Sequence, residues 1–78
     1  MELKIKLHSV NDVAMFVKVC ERFEEDIDYK HGRYVIDAKS IMGVLSTAIG
    51  NVALVNILTD NNKVIENFKE EIKLWVVE

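Results

Sequence analysis

The sequence has no proline, three glycines, two histidines and a single cysteine in 78 residues. One cysteine cannot close an intrachain disulfide, so the chain is not a disulfide-stapled scaffold, and a reducing, cytoplasmic setting suits it. Three scattered glycines make no phosphate-cradling loop, and no stretch reads as a flexible linker. Two histidines, Cys20 and dispersed acids show no metal-ligand spacing, so no metal or other cofactor is expected. No nucleophile–base pair stands out, which argues against an enzyme. Long apolar runs are also missing: nothing reads as a membrane span or a signal peptide. A cationic excess is absent too. The formal net charge is −3, with both signs spread along the chain, which leaves no basic face for nucleic-acid phosphates.

What remains is a chain half hydrophobic by composition. It is enough for one small core, and residues 1–78 read as a single domain. Leu3, Ile5 and Leu7 alternate with Glu2, Lys4, Lys6 and His8, as in a half-buried strand that begins near Met1. Ser9 can then cap a helix, with Asp12 three residues on in the capping-box position. Val13, Phe16, Val17, Cys20 and Phe23 come next at helical spacing, which predicts an amphipathic helix over Val10 to Glu24 with Cys20 as a core residue. Asp26 to Lys30 reads as a second strand, His31-Gly32-Arg33 as a turn, and Tyr34 to Asp37 as a third strand.

Ser40 is a natural N-cap for a short helix that ends near Gly50 as its C-cap. Val52 to Leu58 reads as a central fourth strand. Asp60-Asn61-Asn62 caps a last helix whose apolar stripe is Val64, Ile65, Phe68, Ile72 and Trp75, with Glu66, Lys69, Glu70 and Lys73 paired at four-residue spacing. Val76 and Val77 are open to three outcomes: fraying, extending the helix or folding back. The order is βαββαβα. One four-stranded antiparallel sheet with three helices on one face is the expected α+β solution, because each helix has one apolar stripe to bury. A ferredoxin-like ligand-binding or oligomerisation module shares nearly this order.

Lys39-Ser40-Ile41-Met42-Gly43-Val44 separates the two. Ile41, Met42 and Leu45 lie at one-and-four spacing beside the cap, an apolar patch on a very short helix. This run closely resembles the regulatory-serine segment of HPr, the phosphocarrier family of the bacterial phosphoenolpyruvate-dependent sugar phosphotransferase system. The resemblance implies the HPr open-faced β-sandwich. It also implies that Ser40 is a target of a dedicated HPr kinase. Lys39, Ile41, Met42 and Leu45 would then lie on a surface that meets that kinase, enzyme I or a transcriptional regulator. Ser40 also has a purely structural role as a cap, contributing about 1 kcal/mol.

The family's other hallmark is a phosphoacceptor histidine at the start of the first helix, in a His-Ala-Arg-Pro-Ala sequence. An ungapped count back from Phe23 places Ser9 at that histidine, with Val10, Asn11 and Asp12 where Ala, Arg and Pro belong. Serine is a poor acceptor from phosphohistidine, the cationic clamp is gone, and Asp12 would repel a phosphoryl group. His8, one residue earlier, is either a solvent-facing residue of the first strand or a displaced phosphoacceptor. The sequence therefore points to a regulatory, protein-binding variant that keeps the serine segment, like the catabolite-repression branch of the family. A divergent phosphocarrier using His8 is the alternative.

Overall fold

The structure is a computed structural model that describes residues 2–77. Met1, assigned from sequence to the first strand, and Glu78 lie outside the described residues. In chain order the elements are β1 (Glu2–Lys6), α1 (Val10–Glu21), β2 (Ile27–His31), β3 (Tyr34–Asp37), α2 (Ile41–Ala48), β4 (Val52–Ile57) and α3 (Asn62–Ile72), with a 3-10 turn after them, Lys73–Trp75. The strands form one sheet in the order β1-β4-β2-β3, every neighbouring pair antiparallel. This is the open-faced α+β sandwich expected, with β4 central.

Strand alternation decides which residues meet the helices. Ile5, Leu7, Ile27, Tyr29, Ala53, Val55 and Ile57 are buried on the covered side. Val13, Phe16, Val17 and Cys20 of α1, Val44 and Ala48 of α2, and Phe68 and Ile72 of α3 close over them. Burying each of the larger side chains stabilises by about 1.5–3 kcal/mol. Phe16 sits at the centre, edge-on to Tyr29 (ring centroids 6.1 Å) and to Trp75 (5.8 Å). Cys20 is fully buried, and burial pushes its thiol up from 9.0 to about 12, so it is an inert core residue. The opposite sheet face is open. Val52 and Leu54 remain exposed there, and Lys30 reaches Glu2 at 2.8 Å across β4.

Several boundaries differ from those read off the sequence. Helix α1 stops at Glu21, not Glu24, because the chain turns to stack Phe23 edge-on to Phe68 at 5.4 Å. Lys39 Nζ then donates to the Phe23 carbonyl at 2.7 Å. His31 belongs to β2 and pairs with Tyr34, so the turn is only Gly32-Arg33. Gly32 takes φ +59°, a positive φ that a two-residue hairpin supplies with glycine. Ile49, not Gly50, caps α2 and forms an isolated bridge to Leu7, while Gly50 N–H donates to the Leu7 carbonyl at 2.9 Å. β4 ends at Ile57, before Leu58.

In α3 the ion pairs are three residues apart rather than four. Lys69–Glu66 is at 3.8 Å and Lys73–Glu70 at 2.7 Å. Lys73 lies in the 3-10 turn, where positions three apart eclipse. The chain after Trp75 folds back: Val76 bridges Ile5, and Val77 N–H donates to the Lys4 carbonyl at 2.8 Å.

Candidate functional site

Two helix starts carry the candidate residues. At α1, Ser9 has extended backbone and its Oγ accepts the Asp12 N–H at 3.1 Å. The Asp12 carboxylate turns back and accepts the His8 N–H at 3.0 Å. This is the reciprocal capping arrangement, moved one residue earlier than its usual form. A carboxylate therefore lies in the first turn of α1, where the macrodipole favours an anion. His8 is exposed and its imidazole makes no hydrogen bond among the described residues.

At α2, Ser40 is exposed with extended backbone, and its Oγ accepts the Gly43 N–H at 3.4 Å. No acidic residue stands in the first turn of α2. Glycine at residue 43 is a packing requirement: a Cβ there would lie 2.8 Å from Ile36 Cγ2 of β3. The absent side chain lets the start of α2 settle against Ile36 of the sheet.

The apolar residues beside Ser40 do not form one uniform patch. Met42 is 75% exposed and Ile41 46%, whereas Leu45 is half-buried against the core. Lys39 differs from the expectation of a free contact residue. Its ammonium is committed to Phe23, and its N–H donates to Asp37 Oδ1 at 2.9 Å. It closes the C-terminal end of α1 with a cation, where the dipole favours one. Ile41 instead lines a groove with Met15, Lys18 and Lys39. Met15, half exposed, is not singled out by the sequence reading. The available signal is an apolar residue on α1 out of phase with the stripe Val13, Phe16, Val17 and Cys20.

The contact between Lys39 and Phe23 puts the start of α2 at the end of α1. The contacts of Ile49 and Gly50 with Leu7 put the end of α2 beside the start of α1. The two helices run in opposite directions, so Ser9 and Ser40 lie at opposite ends of α1, about 18 Å of helix apart.

A family model described as the PTS HPr component phosphorylation site matches residues 4–73. The chain belongs to the HPr family. It is 33% identical over 63 residues to the HPr-like protein Crh of Halalkalibacterium halodurans, a match covering 80% of this chain and 75% of that protein. Among solved structures it resembles HPr-C-His from Thermoanaerobacter tengcongensis, with TM-score 0.72, 25% identity, and 94% and 91% of the two chains covered. It also resembles Crh of Bacillus subtilis, with TM-score 0.65, 26% identity, and 97% and 90% covered. That structure is described as a domain-swapped, intertwined dimer.

HPr proteins are phosphocarriers of the sugar phosphotransferase system rather than enzymes, and the Crh name ties the family to catabolite repression. Membership sets aside the ferredoxin-like alternative. Among the described residues no group of three or more His, Cys, Asp or Glu could hold a metal ion, and no helix is long and apolar enough to cross a membrane.

Proposed function

We propose that residues 1–78 form one HPr-like domain acting in the cytoplasm as a regulatory, protein-binding member of the phosphotransferase system. In this reading it does not carry phosphate on a histidine and is switched at Ser40. The observation that carries the reading is the contrast between the two helix starts. The first-turn carboxylate of Asp12 holds the His8 amide, so a phosphoryl group arriving there meets a negative charge and no arginine clamp. At α2 the hydroxyl of Ser40 is exposed, the first turn has no acid, and Ile41 and Met42 stand open beside it. A phosphate on Ser40 would rest on the positive end of α2, where its charge is tolerated, and would change the potential next to those side chains without unfolding the helix. That is a switch for partners such as an HPr kinase, enzyme I or a transcriptional regulator. The relatives named Crh support the same reading.

Two incubations test it. With an HPr kinase and ATP, intact mass should rise by one phosphate, and Ser40→Ala should abolish the gain. With enzyme I and phosphoenolpyruvate, no acid-labile phosphate should appear. Wild type left unmodified by the kinase sinks the switch. An acid-labile adduct lost in His8→Ala would instead establish His8 as the phosphoacceptor.

A further inference from the structure

Lys39 sits at a junction. Its ammonium donates to the Phe23 carbonyl at 2.7 Å in a partly buried position, its N–H donates to Asp37 Oδ1 at 2.9 Å, and the next residue is Ser40. The carbonyl it holds lies just past the end of α1. There the chain makes its last tight turn, with the Arg22 N–H donating to the Val19 carbonyl and the Phe23 N–H to the Cys20 carbonyl, each at 3.1 Å. Two contacts tie this turn to α3: Phe23 stacks edge-on to Phe68, and Arg22 pairs with Glu71. Lys39 supplies the hydrogen bond that ties it to the segment opening α2. Cys20 lies beneath the turn. Burial holds its thiol high, while the Lys39 ammonium pulls it down and the Asp37 carboxylate pushes it up, so both groups act at close range.

The Phe23 carbonyl is a neutral acceptor. A phosphate on Ser40 is close to a dianion, and hydrogen bonds between charged partners are about twice as strong as neutral ones. Adjacent Cα atoms are about 3.8 Å apart, which puts a phosphate on Ser40 within reach of the four-carbon stem of Lys39. The phosphate has no reason to move to the ammonium instead. Ser40 is exposed, whereas the present place of the ammonium is partly walled in and lies at the negative pole of α1. The ammonium therefore comes out to the phosphate. Lys18, which lines the groove of Ile41 and Lys39 from the α1 side, is the rival cation.

We infer that Lys39 is a latch between Ser40 and the end of α1: phosphate on Ser40 draws the ammonium off the Phe23 carbonyl, and the last turn of α1 loosens over Cys20. The inference rests on the reading of Ser40 as a modified residue. It extends that reading from a change of potential beside Ile41 and Met42 to a change of mobility at the corner of Arg22, Phe23 and Phe68. A partner seated at that corner would sense the modification without touching Ser40.

Labelling of Cys20 by an aromatic disulfide reagent tests the latch, in full chains made by chemical synthesis with and without phosphate on Ser40. No kinase is needed, so a kinase that leaves Ser40 unmodified sinks the switch, while the latch stands or falls on the labelling alone. A rate that stays flat in dilute urea marks local rather than global opening. Phosphate should speed labelling about tenfold, as expected for the loss of one hydrogen bond from a charged donor. Lys39→Met keeps most of the stem and drops the charge. It should label about as fast as the phosphorylated wild type, and phosphate should add nothing further. Amide exchange in the wild type reads the same opening without a variant: the Arg22 and Phe23 N–H groups should exchange about tenfold faster once Ser40 is phosphorylated. Labelling left unchanged or slowed by phosphate would overturn the inference, as would acceleration that vanishes into the urea-dependent global path. So would an unphosphorylated Lys39→Met that labels like wild type, or a response to phosphate that persists in Lys39→Met, since Lys18 or another group would then be the one that answers.

Discussion

Helices α1 and α2 each begin with a serine whose hydroxyl accepts the N–H three residues on, at 3.1 Å from Asp12 and at 3.4 Å from Gly43. The residues behind the two caps differ. In α1 the third helical residue is an acid that folds back on His8, so the positive end of the helix already has its anion. In α2 it is a glycine, required by the close approach to Ile36, and the end is left without charge. The same local motif therefore gives a closed terminus in one helix and one ready for an added anion in the other. The difference lies in a single side chain at the third position.

The largest expected effect probes that position. Gly43→Ala gains helix propensity of about 1 kcal/mol, but its Cβ collides with Ile36 and overpacking costs about 1–3 kcal/mol. A net loss of up to about 2 kcal/mol in urea unfolding is expected. A stabilised variant would break the packing account of why α2 is open.

The end of α1 that meets Lys39 also holds the buried thiol, which gives a pH handle on that end of the helix pair. Cys20 has a folded pKa raised by burial to about 12 from 9.0, so the unfolded chain loses this proton first. The contribution is intact below about pH 9 and falls by about 1.4 kcal/mol per pH unit between the two values. Unfolding measured at pH 8, 9 and 10 should show that decline relative to Cys20→Ala. Equal slopes would mean that the thiol is not sealed.

Next in size are the caps. Ser9→Ala should cost about 1 kcal/mol, and Ser40→Ala about half as much, because its bond is longer. Equal losses would erase the distinction between the two ends. The smallest effect is the most direct: Ser40→Asp should recover stability to within about 0.5 kcal/mol of wild type, because an anion is welcome at a helix start that has none. Marked destabilisation by Ser40→Asp would show that the α2 terminus does not accept negative charge.

Much of the fold is legible residue by residue. The alternation of Leu3, Ile5 and Leu7, the α1 stripe with Cys20 inside it, and the two serine caps need only local periodicity and hydrogen-bonding chemistry. Helix ends are less legible. The stripe reaches Phe23, but stacking on Phe68, from a helix more than 40 positions later, ends α1 early. The role of Lys39 is hidden for the same reason: the carbonyl that takes its ammonium lies 16 residues upstream. The folding back of Val76 and Val77 cannot be chosen until β1 is known to be a sheet edge.

The sequence by itself determined the element order, the family resemblance and the serines that open α1 and α2, because these depend on spacing and side-chain type within a few residues. Only the tertiary structure decided that Ser9 and Ser40 stand at opposite ends of α1, that Gly43 makes room for Ile36, and that β3 is the uncovered edge. Those facts come from contacts between segments far apart in the chain, and such contacts are set by how the sheet and helices close on one shared core.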